Sequence, residues 1–147
     1  MIKFIAITIA TGIILPVQIG LNSILGVAGG SMVFAALISF AVGTLGLLAY
    51  SLASGMAWPT WSQLASGAPW WSWLGGLIGA FYVTIAVIAG PRIGATVFFS
   101  LIVAGQLTGS LILDHFGLLG FTTAPISFGR IVGVILIVLG VFLIRRF

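Results

Sequence analysis

Few side chains in this sequence can hold a charge, a proton or a specific hydrogen bond, and most of those few fall on two helical faces. Thr8, Thr11, Gln18 and Asn22 follow one another at steps of 3, 7 and 4, which keeps them on one side of a helix. Arg92, Thr96, Gln106, Ser110 and Asp114 follow at steps of 4, 10, 4 and 4, all near multiples of the helical turn. An amide side chain offers a donor and an acceptor to a polar solute and does not titrate. Asp114, the single carboxylate in 147 residues, is the group that could take up and release a proton. The first face has two readings. It is a polar seam joining helix to helix, or a solute-lining face beside the kink that Pro16 imposes.

The elements that must carry these groups are apolar throughout. Charged residues make up 4% of the chain, against about 25% in a soluble domain, and mean hydropathy is +1.38. Five apolar stretches, residues 2–27, 30–55, 71–91, 93–114 and 126–145, are each long enough for the roughly 20 residues that a hydrocarbon core requires. They are continuous runs, unlike the alternating strands of a membrane barrel. The expected fold is therefore all-α, a single membrane domain of five spans. Lys3 and the small residues Ala28-Gly29-Gly30 give the first stretch some likeness to a signal peptide. Its length, with Pro16, Gln18 and Asn22 inside it, reads instead as a span that stays.

Span four places Arg92 at its N-terminal end and Asp114 at its C-terminal end, both against the helix dipole. Solvent at the interface could hold them, or each other across a subunit boundary, or Arg130, or a substrate. Small and weakly polar residues mark the packing faces: Ser39, Gly43, Gly46, Tyr50 and Ser54 in span two, with Tyr50 either an interfacial anchor or a site residue, Gly75 and Gly79 in span three, and Gly129, Gly133 and Gly140 in span five. The last stripe, on an otherwise lipid-like helix, suits contact with a second copy of the chain. All five tryptophans lie between Trp58 and Trp73, where they read as interfacial anchors.

Several chemistries are excluded. Without cysteine there are no disulfides, thiol catalysis or Cys-ligated metals. One His and one Asp cannot complete a three-ligand metal site, no nucleophile–base pair is visible, and no cofactor is expected. The pI near 10.9 reflects cations scattered over span ends with no basic cluster, so nucleic acid is not an expected partner.

The run Gly105-Gln106-Leu107-Thr108-Gly109-Ser110-Leu111-Ile112-Leu113-Asp114-His115-Phe116-Gly117-Leu118-Leu119-Gly120 resembles a known family. So do Leu15-Pro16-Val17-Gln18 before Asn22, Pro69-Trp70-Trp71 before Gly75-Gly76, and Pro91-Arg92 with Gly94 before Phe98-Phe99. In order along the chain, they resemble the short YdcZ-like branch of the drug/metabolite transporter superfamily. Larger members of that superfamily have ten helices in two halves of inverted topology. The resemblance implies that five helices are one such half, completed by a second copy or a related five-helix chain. It also implies a bacterial inner (cytoplasmic) membrane and export of a small molecule. The small multidrug resistance proteins of the same superfamily carry a glutamate in their first helix. This chain has no acid there, which speaks against proton exchange with cationic drugs by that route.

The sequence is thus read as an exporter of a small metabolite or xenobiotic, working as an antiparallel, dual-topology homodimer by alternating access in membrane lipid. Gln18, Asn22, Gln106 and Ser110 are the expected substrate-binding residues. Arg92 and Asp114 are the gate or coupling groups, and Gly129, Gly133 and Gly140 the dimer interface. The competing reading is a non-transporting scaffold or assembly subunit, which would be dry and fully packed where an exporter has a cavity at Gln18 and Gln106. Orientation follows the Lys/Arg bias of short loops. Here Lys3 and Arg130 fall on one side, against Arg92, Arg145 and Arg146 on the other. So small a bias predicts that both orientations are populated. Labelling of a cysteine introduced into the 56–70 loop should proceed from both faces of the membrane. Adding two lysines to that loop should restrict it to one face. Single-sided labelling of the otherwise unmodified chain contradicts dual topology.

Overall fold

A computed structural model describes all residues, 1–147, as helices joined by short connections. The helices are α1 (Ile2–Ala28), α2 (Met32–Ala53), the short α3 (Trp61–Gly67), α4 (Leu74–Ile93), α5 (Ala95–Phe116) and α6 (Phe128–Arg146). A 3-10 turn, Trp70–Trp73, leads directly into α4, so that five helices of 27, 22, 24, 22 and 19 residues are long and apolar enough to cross a bilayer. At about 1.5 Å per residue, α1 rises about 40 Å. It therefore tilts in, or projects beyond, a hydrocarbon core of about 30 Å.

The chain forms two compact units, Met1–Pro91 and Arg92–Phe147. In the first, α1 packs on α2. Gly26, Ala35 and Ala36 are buried, and the helix pair carries one polar contact, Asn22 Nδ2 donating to Ser39 Oγ at 3.1 Å. Ala86 and Val87 of α4 are fully buried. A Cβ at Gly90 would stand 3.2 Å from Ile19 Cγ2, and one at Gly79 would stand 3.4 Å from Phe40 Cζ. In the second unit α5 packs on α6, with Phe98 and Val141 buried. Small residues thus carry the close contacts. Large ones such as Leu21, Phe81 and Phe142 point outward, as lipid-facing side chains do.

Helix ends follow local chemistry. Ser31 Oγ accepts from the Phe34 amide at 3.2 Å and starts α2. Thr60 and Gln63 form a reciprocal capping box that starts α3. This helix lies within the loop expected over 56–70, and it brings Trp61 within 6.1 Å of Trp73, ring centre to ring centre.

A second difference concerns Arg92. The expected span bounds, 71–91 and 93–114, put the break in the chain at residue 92, with Arg92 at the N-terminal end of the next span. Instead, α4 continues through Pro91, and Arg92 lies in its last turn. Pro91 gives up the bond that its N–H would make to the Val87 carbonyl, and only two residues of the helix follow it. The turn falls at Gly94, whose φ of +86° lies in the region that favours glycine. Arg92 is therefore at a helix C-terminus, where a cation suits the dipole, and it does not share a helix with Gln106 and Asp114.

The Gly90 contact is directly testable. Gly90→Leu should destabilise the detergent-solubilised protein by about 1–3 kcal/mol through overpacking against Ile19. Gly12→Leu, at a position open to its surroundings, should leave the thermal unfolding midpoint close to that of the parent chain.

Candidate functional site

Several hydroxyls in the helices bond to their own backbone. Thr8, Thr11, Thr44, Ser100 and Thr108 each donate to the carbonyl four residues earlier, at 2.7–2.9 Å. The polar face of α1 therefore reduces to Gln18 and Asn22. Asn22 is 7% exposed and its amide is committed to Ser39. Gln18 is exposed, makes no hydrogen bond within the chain, and lines a pocket of about 240 Å³ with Ser39, Phe40, Gly43, Thr44 and Val83. Two expected binding residues thus separate into a helix–helix bond and an available amide.

In the second unit, Gln106 and Ser110 lie along an open groove of about 550 Å³ beside Val103, Gly109 and Leu113. One turn further along α5, Ser110 also borders a pocket of about 310 Å³ between α5 and α6, where Asp114, Arg130 and Gly133 meet. Arg130 Nη1 donates to Asp114 Oδ2 at 3.3 Å and to the Ala124 carbonyl at 3.0 Å. Of the partners considered for Asp114 from sequence, Arg130 is the one it meets. Electrostatics explain why the pair belongs together. Asp114 lies in the last turn of α5 and Arg130 in the first turn of α6. Each opposes its own helix dipole, and each supplies the charge that the other's terminus lacks.

The same corner fixes the connection between these helices. The Ala124 amide donates to the Asp114 carbonyl at 2.7 Å, and the Ile126 amide donates to His115 Nδ1 at 3.2 Å. Gly117, at φ +59°, ends α5, and Leu119 takes the left-handed conformation at φ +56°. From sequence, Arg130 is both a topology charge and one candidate partner of Asp114, while His115 carries no signal of a role. The acceptor role of His115 has no periodic signal, because its partner lies across an irregular connection. Arg92 is exposed and forms neither an ion pair nor a hydrogen bond. Added Cβ atoms at Gly129, Gly133 and Gly140 would meet nothing within 4 Å, so this stripe is open.

The chain is an all-helical, multi-pass membrane protein with largely apolar pockets in both units, each bordered by a few polar side chains. Residues 3–143 match the family described as "Putative inner membrane exporter, YdcZ". The chain is 33% identical over 142 residues to inner membrane protein YdcZ of Escherichia coli (strain K12), covering 96% of this chain and 93% of that protein. No solved structure matches the chain. The chain belongs to the YdcZ family, and it is a multi-pass protein of the inner membrane.

The Asp114–Arg130 corner leads to a structural expectation. Arg130→Met removes the partner of both the carboxylate and the Ala124 carbonyl. Both side chains are about one-third exposed, so the loss should be about 1 kcal/mol. Hydrogen exchange should quicken by roughly fivefold at the Ala124 and Ile126 amides, while amides in the middle of α5 keep their protection.

Proposed function

We propose that this protein exports a small metabolite or xenobiotic by alternating access, as an antiparallel, dual-topology homodimer in which the second copy supplies the inverted half. The observation that carries the transport reading is that Gln18 and Gln106, the two long neutral amides of the membrane helices, both lie exposed in pockets with no internal hydrogen-bond partner. A scaffold subunit would spend such groups on internal bonds, as Asn22 is spent. Family membership supports the same reading. Gln18, Gln106 and Ser110 bind the cargo and Asn22 holds the adjoining helix pair, while Arg92 and Asp114 act as gate or coupling groups. The open stripe at Gly129, Gly133 and Gly140 is the face offered to the second copy. A related five-helix chain could fill the same place.

Export measured at two pH values, against a panel of metabolites, tests these roles. Gln18→Leu and Gln106→Leu should each weaken apparent cargo affinity by about two- to tenfold, the worth of one or two hydrogen bonds. Neither should change the pH dependence, because an amide does not titrate. Asp114→Asn should flatten that dependence. If the parent chain exports nothing, the scaffold reading replaces this one; if all three variants export like the parent chain, these residues are not the cargo and coupling groups.

A further inference from the structure

The ion pair between α5 and α6 is only half used. Arginine carries five N–H donors in a planar fork, and Arg130 commits one nitrogen, Nη1, to both Asp114 Oδ2 and the Ala124 carbonyl. Its Nε and Nη2 have no partner within the unit, nor does Asp114 Oδ1. The pair borders a pocket of about 310 Å³ whose other walls include Leu107, Leu111 and Ser110. That volume is at the small end of the roughly 300–1,000 Å³ of ligand pockets. Gly133 faces it with no atom within 4 Å of an added Cβ, so the open space is kept by a missing side chain.

From this geometry we infer that the α5–α6 pocket binds a small zwitterion, its anionic oxygens on the free edge of Arg130, its primary ammonium on Asp114 Oδ1 and its apolar part along Leu107 and Leu111. A simple anion on the free edge of Arg130 would lie beside the Asp114 carboxylate with nothing to offset the repulsion, and a simple cation on Asp114 would lie likewise beside the guanidinium. A ligand carrying both charges satisfies the unused faces and leaves the existing bridge in place. The Ser110 hydroxyl, on the same wall, can accept a further ammonium hydrogen. Two sources offer this chemistry: a free amino acid with an apolar side chain, and the ethanolamine headgroup of a phospholipid. The inference deepens the exporter reading by naming a class of ligand, and it rests on that reading only for the claim that the ligand is then moved.

Equilibrium binding to the full chain in nanodiscs separates the two sources and is independent of transport. In phosphatidylcholine discs, L-leucine should bind saturably. N-acetyl-leucine and leucine amide, each lacking one charge, should compete at least tenfold less well. Asp114→Asn, Arg130→Gln and Gly133→Val should each weaken leucine binding at least tenfold. The last variant leaves the ion pair intact and fills the pocket. Because Gly133 also lies on the stripe offered to the second copy, Gly140→Val, on the same stripe but outside the pocket lining, is the control and should bind leucine like the parent chain. If leucine does not bind but the protein retains phosphatidylethanolamine over phosphatidylcholine in native mass spectrometry, and the same three variants abolish that preference, the occupant is the lipid headgroup. Neither ligand being held, or binding that survives Gly133→Val, overturns the inference. Failed export with intact leucine binding would instead count against the transporter reading alone.

Discussion

A hydrocarbon core offers a polypeptide nothing to hydrogen-bond, and nearly every feature of this chain follows from that. Backbone groups are satisfied within five long helices. Hydroxyls obey the same constraint by bonding to carbonyls of their own helix, as at Thr8, Thr44 and Thr108. Such bonds consume polar groups that composition alone would count as available for function. What remains is a short set: the Asn22–Ser39 bond, the free amides of Gln18 and Gln106, and the Asp114–Arg130 corner. Function in a membrane is read from the polar groups that the fold has not already used.

Packing obeys the constraint in another way. Lipid tails are as apolar as leucine, so burying large side chains between helices gains little, and close approach of backbones matters more. Ala35, Ala36 and Ala86 are accordingly buried, and Gly26 and Gly90 stand at close contacts. Long side chains remain outside. The Asp114–Arg130 pair is the one place where two full charges meet. It forms where two helix ends carry charges of the wrong sign for their own dipoles, so that each corrects the other. With Gly117, Ala124, His115 and Ile126 it also sets the course of the only long connection in its unit.

Five spans were legible because a run of about 20 apolar residues has one stable form in a bilayer. The structure and the family match agree with the all-α, inner-membrane reading and with the YdcZ-like resemblance. Finer features were less legible where several local rules compete. The third span was expected to end at residue 91, yet the helix runs on to Ile93, because only Gly94 takes the positive φ that the turn needs. Arg92 consequently belongs to a different helix from the one its spacing suggested. The α3 helix was readable in principle from Thr60 and Gln63, three residues apart, but the tryptophans around it suggested anchoring alone. Periodicity placed Thr11 and Asn22 beside Gln18 without showing that both were already bonded. Nor could it select Arg130 for Asp114, because their sixteen-residue separation crosses an irregular connection.

With five spans, the two ends of the chain emerge on opposite sides of the membrane. A second copy joined directly to the first is therefore inverted relative to it, and one joined through an additional spanning helix is parallel. Comparison of these two tandem fusions, by the metabolite profile of the surrounding medium, tests the inverted-pair exporter most directly. The account predicts that the direct fusion exports like the separate chains and that the fusion with the additional helix does not. Export by the parallel fusion, with none by the direct one, would contradict it.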